Sequence, residues 1–195
     1  MSSYKDEIIT VRFDKEMMKE YSGFDVENPD AYFKLRPRAK RVPFEALHGK
    51  QRMGLIPSIN KFLNVPSRII QNQWEIELKN YCTYTLNRQR VKAAYLNECV
   101  ALVVQYKPTA SKSDNSNIYE KPFLDAMVEH EIMVDDNYLH VQFYSTFSVV
   151  DKKDPHSEII LFPITDEYPF EIAMMELTNH VMELRQKYEQ CFKKK

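Results

Sequence analysis

The spacing of apolar residues changes from one segment of this chain to the next, and each spacing predicts an element of secondary structure. Three segments place apolar residues three or four positions apart, as one buried face of a helix requires. We predict helices over residues 67–90, with the Ser67 hydroxyl capping the first turn, over residues 118–132, and from Phe170 to about Phe192. The first helix carries a core-facing stripe of Ile70, Trp74, Leu78 and Tyr81.

Four further segments have the composition of β-strands, and we predict strands over residues 8–13, 99–106, 138–150 and 158–162. The second of these is apolar at every position except Gln105, which is typical of a central strand. The third alternates, so its odd positions should face the core and its even positions the solvent. These odd positions are Leu139, Val141, Phe143, Phe147 and Val149. The turn at residues 151–156 makes the last two strands a predicted hairpin.

These elements predict an α+β fold in which a small mixed sheet is packed by two helices. The 195 residues, 44% of them hydrophobic, suffice for one well-buried domain, so we predict a single domain over residues 1–195. Within it, residues 14–66 form an irregular N-terminal arm, residues 67–164 the core, and residues 168–192 an added C-terminal helix. Long segments without periodicity, such as this arm, usually serve function rather than the core.

The predicted C-terminal helix carries apolar residues at alternating steps of four and three, which is a heptad pattern of three repeats. The seam consists of Phe170, Met174, Leu177, Val181, Leu184, Tyr188 and Cys191. Two interpretations remain open: the seam packs against the protein's own sheet, or residues 170–191 bind a protein partner. Three heptads are the lower limit for a coiled coil.

Composition excludes several classes of protein. Only three glycines occur, so the chain has no glycine-rich loop of the kind that binds nucleotide phosphates. No apolar run approaches the length of a membrane span and the N-terminus has no signal-peptide core, so we expect a soluble cytoplasmic protein. Cys82, Cys99 and Cys191 have no metal-ligand spacing and are interpreted as buried free thiols.

The net charge of −1 conceals two segments of opposite charge. The basic segment, residues 34–52, contains seven basic residues and a single acid, Glu45. Its basic residues are Lys34, Arg36, Arg38, Lys40, Arg41, Lys50 and Arg52. Residues 114–137 contain seven acids and one lysine. A metal-dependent nuclease needs both a basic region for the phosphate backbone and an acidic pocket for the cation, although a solvated charged loop has the same composition.

The acidic segment brings together side chains that could carry out a cation-dependent reaction. Asp114 precedes a predicted helix and Lys121 lies inside it, while the pair Asp135-Asp136 follows it. Taken singly, these features have structural interpretations: a helix cap, an i,i+4 pair of Lys121 with Asp125, and a turn. Their joint order between two strands favours a Mg²⁺ site, because this cation takes one or two carboxylates and keeps water for a substrate phosphate.

The segment resembles the RusA-type Holliday junction resolvases, small dimeric Mg²⁺-dependent endonucleases of bacteria and their phages. The shared order is Asp-Asn (114–115), a lysine (121), Phe-Leu-Asp-Ala (123–126) and Asp-Asp (135–136), within a core match over about residues 97–164. A weaker similarity lies upstream, where Ile-Pro-Ser-Ile-Asn (56–60) resembles the Pro-Ser-x-Asn segment that opens many members.

This resemblance implies a function and a set of site residues. The fold would be RusA-like, and the activity would be cleavage of four-way DNA junctions by a homodimer in a bacterial or phage-infected cell. Asp114, Lys121 and Asp136 would be catalytic. The metal ligands would be Asp114, Asp135 and Asp136, binding Mg²⁺, or Mn²⁺ in its place. The basic segment would bind branched double-stranded DNA.

The chain departs from the family pattern at one ligand position. The first aspartate of the family's D-x-D-N motif falls on Lys112, so one expected carboxylate is an ammonium group. In a second register, Asn115 and Asn117 take the places of the two aspartates. Either register leaves the carboxylate set incomplete, and Glu120 or Glu98 could supply the missing oxygen.

Three functional hypotheses follow from these observations. The chain is a Mg²⁺-dependent junction endonuclease, or a catalytically impaired relative that binds branched DNA or a protein partner, or an interaction protein whose acidic segment is solvated surface. Junction cleavage distinguishes the first hypothesis from the others. Salt-dependent junction binding without cleavage distinguishes the second from the third.

Overall fold

The structure, a computed structural model, describes residues 4–22, 56–58, 67–109 and 118–189, together with Asp30, Lys34 and Leu63. In chain order its elements are α1 (Tyr4–Glu7), β1 (Ile9–Asp14), α2 (Lys15–Ser22), α3 (Arg68–Gln89), β2 (Glu98–Lys107), α4 (Lys121–Glu129), β3 (Val141–Val150), β4 (His156–Ile164) and α5 (Phe170–Glu189). The prediction of an α+β protein is confirmed. None of these described helices is long and apolar enough to cross a membrane.

The four strands form one mixed sheet in the order β1-β4-β2-β3. β2 runs parallel to β3 and antiparallel to β4, and β4 runs antiparallel to β1. The predicted hairpin is wrong, because β4 lies between β1 and β2 and does not pair with β3. Burial explains this order: β2 and β4 are buried along most of their length and occupy the centre, whereas the more polar β3 lies at an edge.

Helices cover both faces of the sheet. On one face α3 and α4 enclose a core that contains Phe123 and Val103, and on the other α5 encloses a core that contains Leu184 and Leu102. Successive side chains of β2 therefore enter the two cores alternately, as the pleat of a strand dictates. A strand buried on both faces is apolar along most of its length, which is why its sequence predicted a central position.

The three predicted helices are present as α3, α4 and α5. The prediction of an irregular segment over residues 14–66 is wrong at residues 15–22, which form α2 and bury Met18 in the core beneath α3 and α4.

α3 follows Ser67, and Arg90 ends it in the left-handed conformation, with φ 56°. Ser67 is the residue before the helix, but its side chain makes no capping hydrogen bond, so the predicted hydroxyl cap is wrong. α4 is shorter than the predicted 118–132, since Ile118 forms a β-bridge with Ser58 instead of joining the helix.

A β-bulge near the start of β3 changes which of its side chains face a core. The register with β2 shifts directly after Cys99, where β3 carries one extra residue. Val141, before the shift, contacts the core beneath α3 and α4, whereas Val149 contacts the core beneath α5. The predicted single buried face is therefore wrong, and Leu139 and Phe143 are 56% and 39% exposed.

The heptad seam of the C-terminal helix faces the protein's own sheet. Leu177, Leu184 and Tyr188 are buried in the core beneath α5, while Phe170 at the start of the helix stays exposed. Packing against the sheet is thus the interpretation that the described residues support, and Cys191 lies outside them. A protein partner for residues 170–191 stays a prediction.

The cysteine prediction is confirmed where the structure describes it. Cys82 and Cys99 are free and buried. Burial raises the pKa of the Cys99 thiol to about 12, so this side chain stays protonated and unreactive at neutral pH.

A buried imidazole joins β4 to its neighbours. His156 is 4% exposed, and its ring stacks on Tyr106 with the centroids 3.9 Å apart. Its Nδ1 lies 2.7 Å from the Asp154 carbonyl oxygen, and its Nε2 lies 3.3 Å from Glu158 Oε1. Burial alone would lower the pKa of His156, but these two acceptors outweigh burial and raise it above its ordinary value.

Replacing His156 by glutamine is expected to lower the free energy of unfolding more at about pH 5.5 than at about pH 8.5. Because the folded-state pKa of His156 is raised, the charged ring stabilises the fold fully below the ordinary value of about 6.5. That stabilisation is lost as the pH rises through the raised pKa. Hydrogen bonds to charged groups contribute about 1.5–3 kcal/mol, which sets the scale of the effect at the lower pH.

Urea unfolding at the two pH values measures this difference. The control is His130→Gln, which removes a partly exposed ring at the end of α4. A loss of stability at His156 that is the same at both pH values would show that the ring does not carry the stabilising charge.

Candidate active site

Helix α4 is fixed by its buried face, and this places its first turn at the surface. Phe123, Ala126 and Met127 lie in the core between the sheet and α3. The Phe123 ring packs edge-on against Phe13 of β1, with the centroids 5.0 Å apart. The opposite face of the same helix leaves Lys121 exposed at its N-terminus.

The loop that follows α4 is held by the segment that precedes β2. The Leu96 amide donates a hydrogen bond to the Ile132 carbonyl oxygen at 2.9 Å, and the Val134 amide donates one to the Leu96 carbonyl oxygen at 3.0 Å. Ile132 is fully buried. These contacts anchor the loop directly before its acidic pair, so that Asp136 has a defined position relative to the helix.

Asp135 organises the turn that contains the acidic pair. Its Oδ1 accepts a hydrogen bond from the Asp136 amide at 2.7 Å, and its Oδ2 accepts one from Asn137 Nδ2 at 2.6 Å. Both Asp135 oxygens are thus engaged locally, as the turn interpretation of this pair predicts. Each oxygen keeps a second lone pair, so the role of Asp135 as a metal ligand stays a prediction.

Lys121 joins the helix to this turn. Its Nζ lies 3.0 Å from Asp125 Oδ1, one turn further along α4, and 3.0 Å from Asp136 Oδ2 in the loop. The two carboxylates are therefore separated by no more than twice that distance. The structure thus brings together three side chains that follow one another in the sequence motif. An i,i+4 pair of Lys121 with Asp125 would form without the contact to Asp136.

The electrostatics of this cluster are those of a hydrated surface site. The side chains of Lys121, Asp125 and Asp136 are 63%, 38% and 20% exposed. Hydrogen bonds to Asp125 and then to Asp136 raise the pKa of Lys121 despite partial burial, so its ammonium group stays charged. Exposed ion pairs contribute only about 0–1 kcal/mol to stability. The Lys121–Asp125 pair, exposed at both ends, therefore adds little to the stability of the fold.

A small cavity lies at Glu120, the residue before Lys121 of the cluster. It has a volume of about 360 Å³ and is lined by Ile118, Glu120, Tyr144, Ser145 and Thr146. Burial raises the pKa of Glu120, and burial together with the nearby Glu120 charge raises the pKa of Tyr144. The Tyr144 hydroxyl is buried, and the Glu120 carboxylate lies close enough to contribute to its raised pKa.

The sequence did not predict that Tyr144 lines this cavity. The alternating pattern of β3 predicted that this even position faces solvent, but the bulge turns it toward the core beneath α3 and α4. No residue type in the pattern signals that bulge. Glu120 was an alternative oxygen donor in the sequence, whereas Glu98, the other alternative, accepts a hydrogen bond from Gln142 at the start of β2.

A segment distant in sequence contacts the two residues that precede Glu120. The Tyr119 amide donates a hydrogen bond to the Pro57 carbonyl oxygen at 2.8 Å, and Ser58 forms a β-bridge with Ile118. Gln105 of β2 holds the same segment through a 2.7 Å hydrogen bond to the Ile56 carbonyl oxygen. Pro57 of the upstream Pro-Ser segment thus contacts Tyr119, which precedes Lys121 by two residues. The rest of that segment, residues 59–60, lies outside the described residues.

Several predicted site residues also lie outside the described residues. These are Lys112, Asp114, Asn115, Asn117, Arg36, Arg38, Lys40, Arg41, Lys50 and Arg52. Lys34 of the basic segment is described and exposed. The ligand pair Asp114 and Asp136, the choice between the two registers and the DNA-binding role of the basic segment all stay predictions.

The carboxylate oxygens of this cluster are of the ligand type that Mg²⁺ prefers. Within the described parts of the chain, no group of three or more His, Cys, Asp or Glu side chains is placed to hold a metal ion. Mg²⁺ takes only one or two protein carboxylates and completes its coordination with water. The Asp136 carboxylate, 20% exposed, is one oxygen donor of this kind, and its Oδ2 is paired with Lys121.

Comparisons with known proteins do not assign this chain to a family. No protein-family model matches it, and no curated protein sequence matches it significantly.

Proposed function

We propose that this chain is a Mg²⁺-dependent endonuclease that cuts branched DNA, with four-way junctions as its substrate. The observation that carries the proposal is the convergence of Lys121, Asp125 and Asp136 in the order of the resolvase-like motif. Metal-dependent phosphodiester hydrolysis uses acidic oxygens that bind the cation, and a positive group that faces the phosphate assists it. In the cluster, the Asp136 carboxylate would supply the acidic oxygens and the Lys121 ammonium group the positive charge.

The residues of the cluster take different roles in this proposal. Asp136 and Asp114, with Asp135, would hold Mg²⁺, which when bound supplies an activated water and neutralises charge on the scissile phosphate. Lys121 would stabilise the negative charge that develops on the phosphate in the transition state. Because α4 is anchored by its buried face, the start of the helix that carries this lysine is fixed before the substrate binds.

The rest of the chain would hold the substrate. The basic segment, residues 34–52, would contact backbone phosphates. A homodimer would present two equivalent sites, and its two-fold symmetry would match that of a four-way junction. Such an enzyme would act in the cytoplasm of a bacterial or phage-infected cell.

A second candidate function is favoured by Lys112. An ammonium group at a ligand position repels an incoming Mg²⁺ and pairs with Asp114 in its place. The chain would then be catalytically impaired and would bind branched DNA, or a protein partner, without cleaving. The basic segment would keep its affinity for phosphates in that case, because it needs no metal.

Cleavage of a synthetic four-way junction by the full chain with Mg²⁺ tests both candidates. We expect the wild type to cut the junction and to leave a linear duplex of the same sequence intact. Lys112→Asp removes the repulsion and restores the family motif, so it should raise the rate at least about tenfold, equivalent to about 1.4 kcal/mol of barrier. Denaturing gels measure both rates.

Three other results would each change this conclusion. Efficient cleavage by the wild type with no effect of Lys112→Asp would show that Lys112 is not at a ligand position and would favour the second register. Junction binding that weakens with salt, without cleavage by either protein, would establish the non-catalytic candidate. If the chain neither cleaves nor binds the junction, both candidates are contradicted.

A further inference from the structure

The Lys121 ammonium group is shared between two carboxylates of different origin. Asp125 lies on the same helix as Lys121, and Asp136 lies in the loop beyond it, each with an oxygen 3.0 Å from Nζ. A lysine that served only to pair along the helix would need Asp125 alone. A lysine that served only to fasten the loop would need Asp136 alone. Contact with both carboxylates lets Lys121 leave one of them and remain paired with the other.

We propose that Lys121 is a built-in counter-ion of Asp136, that a divalent cation displaces it from Asp136, and that Asp125 is the positioning residue that retains it. This inference rests on the cation-binding role of Asp136 in the proposed function. Beyond that role, the inference states that Lys121 gives up its contact with Asp136 when the cation binds and keeps its contact with Asp125.

The low exposure of the Asp136 side chain supports the displacement of Lys121 by a cation. Asp136 has the least exposed side chain of the three, at 20%, so its carboxylate has fewer water contacts and depends more on a neighbouring positive charge. Lys121 supplies that charge in the absence of a cation. A divalent ion bound to the same carboxylate would repel the ammonium group, and the two cannot both stay close to Asp136.

The position of Asp125 explains where the ammonium group goes. Asp125 follows Lys121 by four residues in α4, so the two side chains lie on the same face of the helix at a fixed separation. Lys121 can release Asp136 and keep its contact with Asp125 without any movement of the helix. The positive charge then remains beside the cation, where a phosphate would bind.

Binding of Mn²⁺ to the full-length chain tests the exchange without relying on activity. Titration followed by the electron paramagnetic resonance of free Mn²⁺ gives the dissociation constant. Removal of the competing charge in Lys121→Met is expected to tighten Mn²⁺ binding about tenfold, whereas Lys121→Arg, which keeps the charge, should bind as the wild type does. Asp136→Asn should abolish binding at this site.

Asp125 is tested by a double-mutant cycle. With Asp125→Asn, Lys121 has only Asp136 as partner and competes more strongly, so Mn²⁺ binding should weaken about threefold or more. The same substitution in the Lys121→Met background should have a clearly smaller effect, because no ammonium group needs to be retained. Asp125→Glu should restore wild-type affinity. Glu129→Gln, on the same face of α4 but 2.5 Å from Lys79, is the matched control.

The results that overturn the inference are distinct from those that overturn the nuclease. Mn²⁺ affinity that is unchanged or weaker in Lys121→Met, or an Asp125→Asn effect of equal size in both backgrounds, would contradict the exchange. Absence of Mn²⁺ binding in the wild type and in Lys121→Met would contradict it as well. The expected pattern without junction cleavage would leave the exchange standing and reject the endonuclease.

Discussion

Replacing Asp136 by asparagine is expected to reduce junction cleavage about a thousandfold, equivalent to about 4 kcal/mol of barrier. The substitution keeps the size of the side chain and the turn made by Asp135, but it removes the charge through which this position would hold a cation. It also leaves Lys121 with Asp125 as its charged partner. Single-turnover cleavage of a four-way junction measures the loss, in the wild type or in Lys112→Asp if only that variant cuts.

A second aspartate in an ion pair provides the control for this result. Asp154 Oδ1 lies 2.7 Å from the Arg12 guanidinium, and its side chain is 53% exposed. Asp154→Asn also removes one paired carboxylate, but from the turn between β3 and β4, so cleavage should stay within about twofold of the parent rate. Equal losses at both positions would mean that the effect is structural and that Asp136 is not part of a reaction centre.

Replacing Phe123 by alanine is expected to lower the free energy of unfolding by about 3–5 kcal/mol, the range found for truncation of a buried aromatic residue. Phe123 is 1% exposed and packs against the rings of Phe13 and Tyr81, so its removal leaves a cavity where β1, α3 and α4 meet. Urea unfolding followed by circular dichroism measures the loss.

The control for this prediction is an apolar residue outside the core. Ile76 of α3 is 59% exposed, and Ile76→Ala should change the free energy of unfolding by no more than about 0.5 kcal/mol. A small loss at Phe123 would show that α4 is not held by its buried face. The fixed position of Lys121, and with it the argument for a prearranged site, would then fail.

Local elements were predictable from the sequence because their causes are local. The i, i+4 stripe that includes Trp74 and Leu78 requires a helix that buries one face, and both residues are buried. The apolar run of β2 requires a strand with a core on each side. The seam of α5 predicted a buried face, but two surfaces could have covered it, and only the folded chain selected the sheet.

The order of the strands was not predictable in the same way. The turn at residues 151–156 predicted a hairpin because neighbouring strands often pair, yet β4 pairs with β1 and β2. Pairing depends on which strands are buried on both faces, and this depends on helices that come from elsewhere in the chain. The bulge after Cys99, which turns Tyr144 inward, has no signature of its own in the residues of β3.

The sequence by itself determined which side chains could form the cluster and in which order they occur, because residue types and spacings are local information. It left open whether Lys121 pairs only with Asp125, one helical turn away, or also with Asp136. The tertiary structure decided this, since anchoring of the loop by Leu96 brings Asp136 to the start of α4. Contacts across 15 residues depend on how the intervening helix packs, and that packing is a property of the whole core.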